Sequence, residues 1–363
     1  MENIRKRNIL VVPTTMQVYL LLLVLSNIAC YTCILHRIPF LRRFSSKRNS
    51  LNEQKKNGFV GIKNLGNTCY MNAVLQSLYR NKLYKDKILN ATFKENSVGK
   101  SLQNLFQQLD NSEVGNTSNL CDNLSINALI QEDAQEFYLK LLNKVDESII
   151  NSNMANDNTE NNQLSSIFCC ETQNIIRCIN IDLTKYTKKR NNLSLSVDII
   201  NTKDLLDSMK NYFAVEKLNE YNTSNGIQEA EKNIKIVKLP ETLCVHLKRF
   251  AYDDVSDSIS KIGTKFEFPL SLDIGSYCSN ITTSSTNYKL QTIVIHDGNA
   301  QFGHYTCYSA IDDTNKWLLF NDNVVTEVTL DTVQKDGYGY SSNIFTHGGS
   351  KTGYLLFYNK LTK

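Results

Sequence analysis

The chain has 363 residues, of which 41% are hydrophobic, and it carries 40 lysines and arginines against 36 aspartates and glutamates, a formal net charge of +4. This hydrophobic fraction excludes an intrinsically disordered chain, and so small a net charge gives no support to a nucleic-acid-binding protein. The ten cysteines are irregularly spaced in a long chain, which excludes the disulfide framework of a small secreted domain and favours a reducing compartment.

The charge is unevenly distributed along the chain. Residues 1–57 contain ten basic and two acidic side chains, a net charge of +8, whereas the remainder contains 30 basic and 34 acidic side chains, a net charge of −4. A basic leader ahead of a mildly acidic body indicates a membrane or targeting role for the leader. The body, residues 58–363, is long enough for one large domain or two small ones.

The leader contains an apolar stretch without formal charge, residues 8–36. Because a helix needs roughly 20 apolar residues to cross a bilayer, we predict a membrane anchor spanning about residues 16–35, followed by a basic linker to residue 57. The alternative is a cleaved secretory signal, whose apolar core is about 7 to 15 residues long and ends at a small-residue cleavage site. No clean site of that kind follows this stretch.

Basic residues flank the predicted span on both sides, and the larger cluster, residues 37–48, follows it. The positive-inside tendency therefore places the body in the cytosol. We expect a single-pass membrane protein. A moderately hydrophobic N-terminal anchor of this kind favours the mitochondrial outer membrane, with the endoplasmic reticulum as the alternative.

The first predicted element of the body is an amphipathic helix. Its apolar residues recur at the i, i+3, i+4 and i+7 spacing of one helix face. They are Met71, Val74, Leu75 and Leu78. Thr68 is placed to cap this helix, which puts Cys69 in its first turn.

A second helix is predicted from Asp133, where residues 133–136 have the pattern of a capping box and an apolar stripe continues to Val145. The Asn-rich residues 151–162 are typical of a loop. Beyond residue 164 the apolar period shifts toward two, which predicts strands, the last of them at residues 354–358. Helices followed by strands indicate an α+β fold.

Cys69 and His304 form a candidate pair for nucleophilic catalysis. The positive end of a helix favours the thiolate form of a cysteine, although a lone cysteine is more often a small core residue. His304 starts a predicted strand, and Asn321 follows it 17 positions later at the end of another. Two adjacent strands would place Asn321 beside His304, and a Cys/His/Asn set is suited to acyl transfer.

Five segments, in the same order along the chain, resemble segments of the ubiquitin-specific proteases (peptidase C19). They are residues 61–78, which resemble the family's Cys box, residues 131–137, residues 239–250, residues 303–306 with 317–325, which resemble its His box, and residues 354–358. The resemblance extends from about residue 58 to residue 359, essentially the whole body. It implies a papain-like α+β catalytic domain, residues 58–363, built from a helical thumb, a palm and strand-built fingers.

The resemblance also implies an activity. The protein would be a ubiquitinyl hydrolase that cleaves the isopeptide bond after the C-terminal glycine of ubiquitin, with ubiquitin and ubiquitylated proteins as partners. Cys69 would be the nucleophile and His304 its general base and acid. Asn321 would orient His304, and the neighbouring Asp322 is the alternative for that role. The N-terminal anchor adds a looser resemblance to the family's mitochondrial outer-membrane member.

Other site residues follow from the same resemblance. Asn64, five residues before Cys69, would help to form the oxyanion hole, where one donor contributes about 2.7–4 kcal/mol; it is also suited to a turn. Gly303, Tyr305 and Asp133 would line the channel for the ubiquitin tail, with Asp133 facing the arginines of that tail. For Asp133 a role as helix cap remains open.

The chain departs from the family at the finger region, where many members hold zinc with two CxxC pairs. Here one pair is reduced to Cys178 with Ile181, and the other appears as Asn222 and Asn225. Four thiolates cannot be assembled, so we predict no structural metal and no cofactor. The alternatives to a protease of this family are a catalytically inactive, membrane-tethered ubiquitin-binding protein, which would be expected to lack a catalytic residue, and a secreted papain-like protease.

Overall fold

The computed structural model describes residues 58–150, 163–254, 257–279, 285–311, 314–340, 345–346 and 349–362. The predicted anchor, residues 16–35, and the predicted loop, residues 151–162, lie outside these ranges. Within them, none of the helices combines the length and the apolar composition that crossing a bilayer requires.

The first part of the described chain is helical. Its helices are α1 (Cys69–Arg80), α2 (Lys82–Asn90), α3 (Val98–Asp110), α4 (Ser118–Leu124) and α5 (Ala134–Glu147). Later in the chain, among the strands, come α6 (Leu205–Tyr212) and α7 (Leu330–Tyr338), with short 3₁₀ helices at Leu164–Phe168 and Gly275–Tyr277. Every residue of α1 from Cys69 to Leu78 is buried, so this helix lies inside the molecule and not on its surface.

Strands dominate the rest of the described chain. The first eight are β1 (Cys170–Cys178), β2 (Thr184–Tyr186), β3 (Arg190–Asn192), β4 (Leu195–Val197), β5 (Glu216–Thr223), β6 (Gly226–Lys238), β7 (Thr242–Leu247) and β8 (Phe250–Asp253). The next eight are β9 (Ser258–Ile262), β10 (Ser271–Asp273), β11 (Asn287–Gly298), β12 (Gly303–Ala310), β13 (Trp317–Asn321), β14 (Val324–Val328), β15 (Phe345–Thr346) and β16 (Ser350–Lys360).

These strands form three sheets. The largest has the order β14-β13-β12-β11-β16-β7-β4, with β10 paired to β11, and all its pairs are antiparallel except β4 with β7. A second sheet has the order β2-β1-β6-β5, with β3 also on β1, and a third has the order β15-β9-β8. The α+β prediction therefore holds for the described residues.

Two hydrophobic clusters fill the described part of the domain. One joins the helices to a face of the largest sheet, and Tyr70 and Phe137, both at most 1% exposed, meet in it edge to face at 5.5 Å. Such aromatic pairs contribute about 0.5–1.5 kcal/mol beyond their buried area. The other cluster lies between the sheet and α6, α7 and β9. The first cluster fixes α1 against β12, which determines where Cys69 lies.

The two helix starts predicted from the sequence behave differently. Asp133 caps α5 as predicted, because its carboxylate accepts the backbone N–H groups of Gln135 and Glu136. Thr68 occupies the N-cap position of α1 as predicted, but its side chain makes no capping hydrogen bond. Its hydroxyl is already occupied, accepting from Leu65 N at 3.0 Å and donating to Asn64 Oδ1 at 3.2 Å.

The fingers correspond to the β2-β1-β6-β5 sheet. Cys178 ends β1 and is buried, Asn222 lies in β5, and Asn225 lies in the turn to β6. Among the residues that the structure describes, no group of three or more His, Cys, Asp or Glu side chains is arranged to hold a metal ion. The absence of a structural metal from the whole chain stays a prediction.

Candidate active site

A tight turn positions Cys69 at the start of α1. Asn64 Oδ1 accepts the backbone N–H groups of Gly66 at 2.9 Å and Thr68 at 3.2 Å. Gly66 has φ of +148°, and a Cβ there would lie 2.8 Å from the carbonyl oxygen of Ala128, so only glycine fits this position. Cys69 itself is 4% exposed. Its thiol therefore lies at the positive end of a buried helix, held by a turn that permits little movement.

His304 reaches Cys69 from the neighbouring sheet. The antiparallel pairing of β12 with β13 brings His304 near the end of β13, where its Nε2 donates to Asn321 Oδ1 at 2.7 Å. The other ring nitrogen, Nδ1, is thereby left to the thiol. The hydrogen bond to Cys69, with smaller contributions from Asn321 and Asp322, raises the pKa of His304 to about 9 against the opposing effect of burial. The imidazole is therefore protonated at neutral pH, so it can donate to the thiol sulfur and can give a proton to a leaving group.

Asp322 joins the elements around this pair. Its carboxylate accepts from Asn64 Nδ2 at 3.0 Å and from Asn72 Nδ2 at 2.8 Å, and it lies 4.0 Å from His304 Nε2. It is the first residue of the two-residue turn between β13 and β14, with φ of +52°. Its backbone oxygen accepts from Ile62 N at 2.9 Å. One carboxylate thus connects the turn before Cys69, α1 and the strand pair that holds His304.

A groove of about 280 Å³ lies beside the pair. Its lining is formed by two segments of the chain, residues 131–133 and 299–303, and by isolated side chains from β8, β9, β11 and β12. The lining residues are Gln131, Glu132, Asp133, Phe250, Ile259, His296, Asn299, Ala300, Gln301, Phe302, Gly303 and Tyr305. All three residues predicted to line the substrate channel, Asp133, Gly303 and Tyr305, are therefore in this groove.

Asp133 has two structural tasks in the groove wall. One carboxylate oxygen caps α5, and the other accepts a short hydrogen bond from the Tyr354 hydroxyl. Burial and the nearby Asp133 charge raise the pKa of Tyr354, so its hydroxyl stays a donor. Tyr305 is 4% exposed and packs against His296 and Tyr354, with ring centroids 4.7 and 5.9 Å apart. Asp133 therefore caps α5, which is the alternative left open by the sequence, and it also lines the groove.

Four predicted catalytic residues are brought together by the structure: Cys69, His304, Asn321 and Asn64. Asn64 is used differently from the prediction in one respect, because its Nδ2 donates to Asp322. An amide nitrogen carries two hydrogens, so a role in an oxyanion hole stays a prediction. The arrangement is suited to acyl transfer, in which a thiolate attacks a carbonyl carbon and the protonated ring supplies a proton to the leaving group.

Sequence reasoning missed three residues at the site. Gln131 Nε2 donates to the Gly303 carbonyl at 3.0 Å and lies 3.7 Å from Cys69 Sγ. His296 is 3% exposed in the groove wall, and burial lowers its pKa to about 3, so its ring is neutral. Asn72 holds Asp322. Gln131 and Asn72 had an indirect signal, since they lie in the family-like segments at residues 131–137 and 61–78.

The sequence matches a known family over most of its length. The signature described as Ubiquitin carboxyl-terminal hydrolase covers residues 60–358. Ubiquitin C-terminal hydrolase 12 of Arabidopsis thaliana is 31% identical over 309 residues, covering 80% of this chain and 27% of that protein. Ubiquitin carboxyl-terminal hydrolase 7 of Drosophila melanogaster is 30% identical over 319 residues, covering 84% and 28%. The chain thus spans about a quarter of the length of these curated relatives.

A solved structure shares the fold. The similar chain is part of the structure of the SAGA Ubp8/Sgf11/Sus1/Sgf73 DUB module bound to ubiquitin aldehyde. It is 25% identical and superposes with a TM-score of 0.68 over 84% of this chain and 70% of its own length. The fold likeness therefore extends over most of this chain.

Proposed function

The chain belongs to the ubiquitin carboxyl-terminal hydrolase family, and from this membership we propose that it is a thiol-dependent deubiquitinase. It hydrolyses the isopeptide bond after the C-terminal glycine of ubiquitin, with ubiquitin and ubiquitylated proteins as its partners. The observation that supports this proposal most directly is the chain of contacts from Cys69 through His304 to Asn321. An inactive ubiquitin-binding protein would have no need of a complete set.

The proposed reaction has two halves. The Cys69 thiolate attacks the carbonyl carbon of the terminal glycine, and the C–N bond breaks as the His304 imidazolium gives its proton to the leaving lysine amine. Water then attacks the resulting thioester. Neutral His304 takes a proton from that water, and the Cys69 thiolate leaves. Asn321 holds the ring through its Nε2 in both halves, so Nδ1 faces the sulfur and the reacting atoms.

The oxyanion that forms on the glycine carbonyl needs donors at the start of α1. The backbone N–H of Cys69 lies at the positive end of this helix. The second amide hydrogen of Asn64 is the proposed side-chain donor, while the first one stays on Asp322. Asp322 therefore fixes the orientation of the amide before any substrate arrives.

Substrate is proposed to enter along the groove lined by Asp133, Gly303 and Tyr305. Asp133 brings a carboxylate to one wall, which would attract the arginine-bearing tail of ubiquitin. Gly303 also lines the groove, and a Cβ at this position would lie only 2.0 Å from His296 Nε2. This close packing requires glycine at position 303 of the groove wall.

The activity is tested by hydrolysis of ubiquitin carrying a C-terminal fluorogenic amide, using the full-length chain in detergent. We expect release of the fluorophore by the wild type and a loss of at least about 10³-fold in kcat for Cys69→Ala. Cys121→Ala is the matched control, because Cys121 is equally buried, at 5% exposure, but lies in α4. Binding of ubiquitin without hydrolysis by the wild type would instead support the inactive alternative.

We propose further that the protein is a single-pass membrane protein with its catalytic domain in the cytosol. The support is the apolar stretch at about residues 16–35 and the basic cluster at residues 37–48. The mitochondrial outer membrane is the favoured location, and the endoplasmic reticulum is the alternative.

A further inference from the structure

One hydrogen bond crosses the groove at its catalytic end. Gln131 lies just before the cap of α5, on the helical side, whereas Gly303 begins β12 on the sheet side. Gln131 Nε2 donates to the Gly303 carbonyl at 3.0 Å and also lies 3.7 Å from Cys69 Sγ, within hydrogen-bonding range for sulfur. The side chain therefore bridges the two walls directly beside the nucleophile.

The backbone on both sides of Gln131 is held in place. On one side, the carbonyl of Ala128 accepts from Asn67 N at 2.7 Å, which ties the loop to the turn before Cys69. On the other side, Asp133 is fixed as the cap of α5. Gln131 is itself only partly buried. Its side chain can therefore rotate while its backbone stays in place, as expected of a movable contact.

The acceptor on the opposite wall is equally constrained. Gly303 pairs with Gly298 at the end of β11, and its Cα faces the buried ring of His296. This backbone cannot carry a side chain, so its carbonyl is the group that the wall presents to Gln131. The Nδ1 atom of His296, also in the wall, is buried without a hydrogen-bond partner.

We propose that Gln131 is the gate of the groove and a donor to the Cys69 thiolate. In the empty enzyme its amide closes the groove and stabilises the thiolate, since hydrogen bonds to ionised groups are the strong ones. An extended, side-chain-free chain end opens the gate, because its own backbone groups can replace the bond between Gln131 and Gly303. The identity of that chain end rests on the proposed function. The two effects on Cys69, restricted access through the groove and stabilisation of its thiolate, do not.

The test is the pH dependence of Cys69 alkylation by iodoacetamide, followed on the Cys69 peptide by mass spectrometry with the full-length chain and no ubiquitin. Gln131→Leu removes the donor at nearly constant size. Gln131→Asn is the second variant, since it keeps an amide that is one methylene too short to bridge the groove. Gln135→Leu is the matched control, because the Gln135 amide donates to Ser194 Oγ at 3.3 Å and not to Cys69.

The midpoint and the plateau of the pH–rate profile for Cys69 alkylation each report one effect. Loss of the donor raises the midpoint of the pH–rate profile by about half a unit or more, and opening of the groove raises the plateau rate at high pH several-fold. We expect both changes in both Gln131 variants and neither change in Gln135→Leu. An unchanged midpoint, or a plateau no higher than that of the wild type, overturns the proposal.

The outcome is independent of the proposed activity. If the Gln131 variants show the expected profile but the wild type hydrolyses no ubiquitin amide, the gate stands and the assignment of ubiquitin falls. If ubiquitin amide is hydrolysed but the profiles are unchanged, the activity stands and the gate falls.

Discussion

Two neighbouring residues, the last of β13 and the one that follows it, act on His304 in different ways. Asn321 accepts directly from the ring Nε2 at 2.7 Å, so it sets the orientation and tautomer of the imidazole. Asp322 lies 4.0 Å from the same nitrogen and accepts from Asn64 and Asn72. Its charge supports the imidazolium at longer range, while its hydrogen bonds fix the turn before Cys69. Sequence alone left open which of the two is the third catalytic residue, because adjacent residues at a strand end are both within reach of His304.

The two roles predict different kinetics for Asn321→Ala and Asp322→Asn. Asn321→Ala loses the orienting bond, so kcat should fall about tenfold or more. Asp322→Asn removes a charge that raises the pKa of His304. The alkaline limb of the profile of kcat/KM against pH reports loss of the imidazolium as pH rises through about 9. In Asp322→Asn that limb should therefore move to lower pH, and Asn321→Ala should move it in the same direction, because its hydrogen bond also raises this pKa. A full loss of kcat in Asp322→Asn together with an unaffected Asn321→Ala would make Asp322 the third residue.

The catalytic residues could be predicted where their signals are local. Cys69 at a helix start and His304 ahead of an alternating strand are visible in short stretches of sequence. Asn72 was not predicted, because it is one of many positions on α1 and its partner Asp322 lies 250 residues away. Gln131 was seen only as part of a segment. Its contacts to Cys69 and Gly303 arise from packing between the helices and the sheet, which periodicity does not encode.

At the scale of elements, the start of α5 has both a structural role and a proposed role in substrate binding. Asp133 caps the helix with one carboxylate oxygen, holds Tyr354 with the other and lines the groove. A second aspartate, Asp204, caps α6 by accepting from Asp207 N at 2.9 Å and is not among the groove residues. The chain therefore offers two helix caps that differ in their relation to the groove.

This pair allows stability and binding to be separated. Asp204→Ala should lower the free energy of unfolding by about 1 kcal/mol, the usual cost of a lost cap. Asp133→Ala should lower it by about 1–3 kcal/mol more, because it also leaves the buried Tyr354 hydroxyl without its acceptor. Only Asp133→Ala should also raise KM for ubiquitin amide, by about tenfold, which corresponds to 1.4 kcal/mol of binding. Chemical denaturation and steady-state kinetics measure the two quantities. Equal KM values in the two variants would restrict Asp133 to its role as a cap.

The elements show where sequence patterns were sufficient. The apolar spacing predicted α1 and α5 because each buries one continuous set of side chains. The period of two predicted a strand at β7, yet five of its six residues are buried. The reason is that its side chains enter both hydrophobic clusters, Cys244 the first and Leu243, Val245 and Leu247 the second. The parallel pairing of β4 with β7 and the helices α6 and α7 were not predicted. The helical pattern predicts a capping bond from the Thr68 side chain, but it does not show that the Thr68 hydroxyl is bonded to Asn64 instead.

At the scale of the whole molecule, the net charge of +4 combines two regions of opposite sign. The +8 of residues 1–57 belongs to the proposed insertion and topology, and the −4 of the remainder is the surface that a substrate meets. Charge arguments about ubiquitin therefore concern the body alone, where Asp133 contributes a carboxylate to the groove.

The proposed anchor predicts that the full-length chain stays in the membrane pellet after carbonate extraction. A double variant, Leu22→Arg with Val24→Arg, should be released into the supernatant, because each arginine at the centre of a span costs about 2.5–3.5 kcal/mol. Leu22→Ile with Val24→Leu is the matched control and should stay in the pellet. Release of the wild type would contradict the anchor.

The most direct test of the central claim is covalent capture of the nucleophile. The full-length chain is incubated with ubiquitin carrying a C-terminal thiol-reactive group, and the adduct is identified by intact mass and by the modified peptide. The contact between Cys69 and His304 predicts one ubiquitin per chain, attached at Cys69. Cys121→Ala should react like the wild type, and Cys69→Ala should not react. No adduct with the wild type, or an undiminished adduct with Cys69→Ala, would contradict the account.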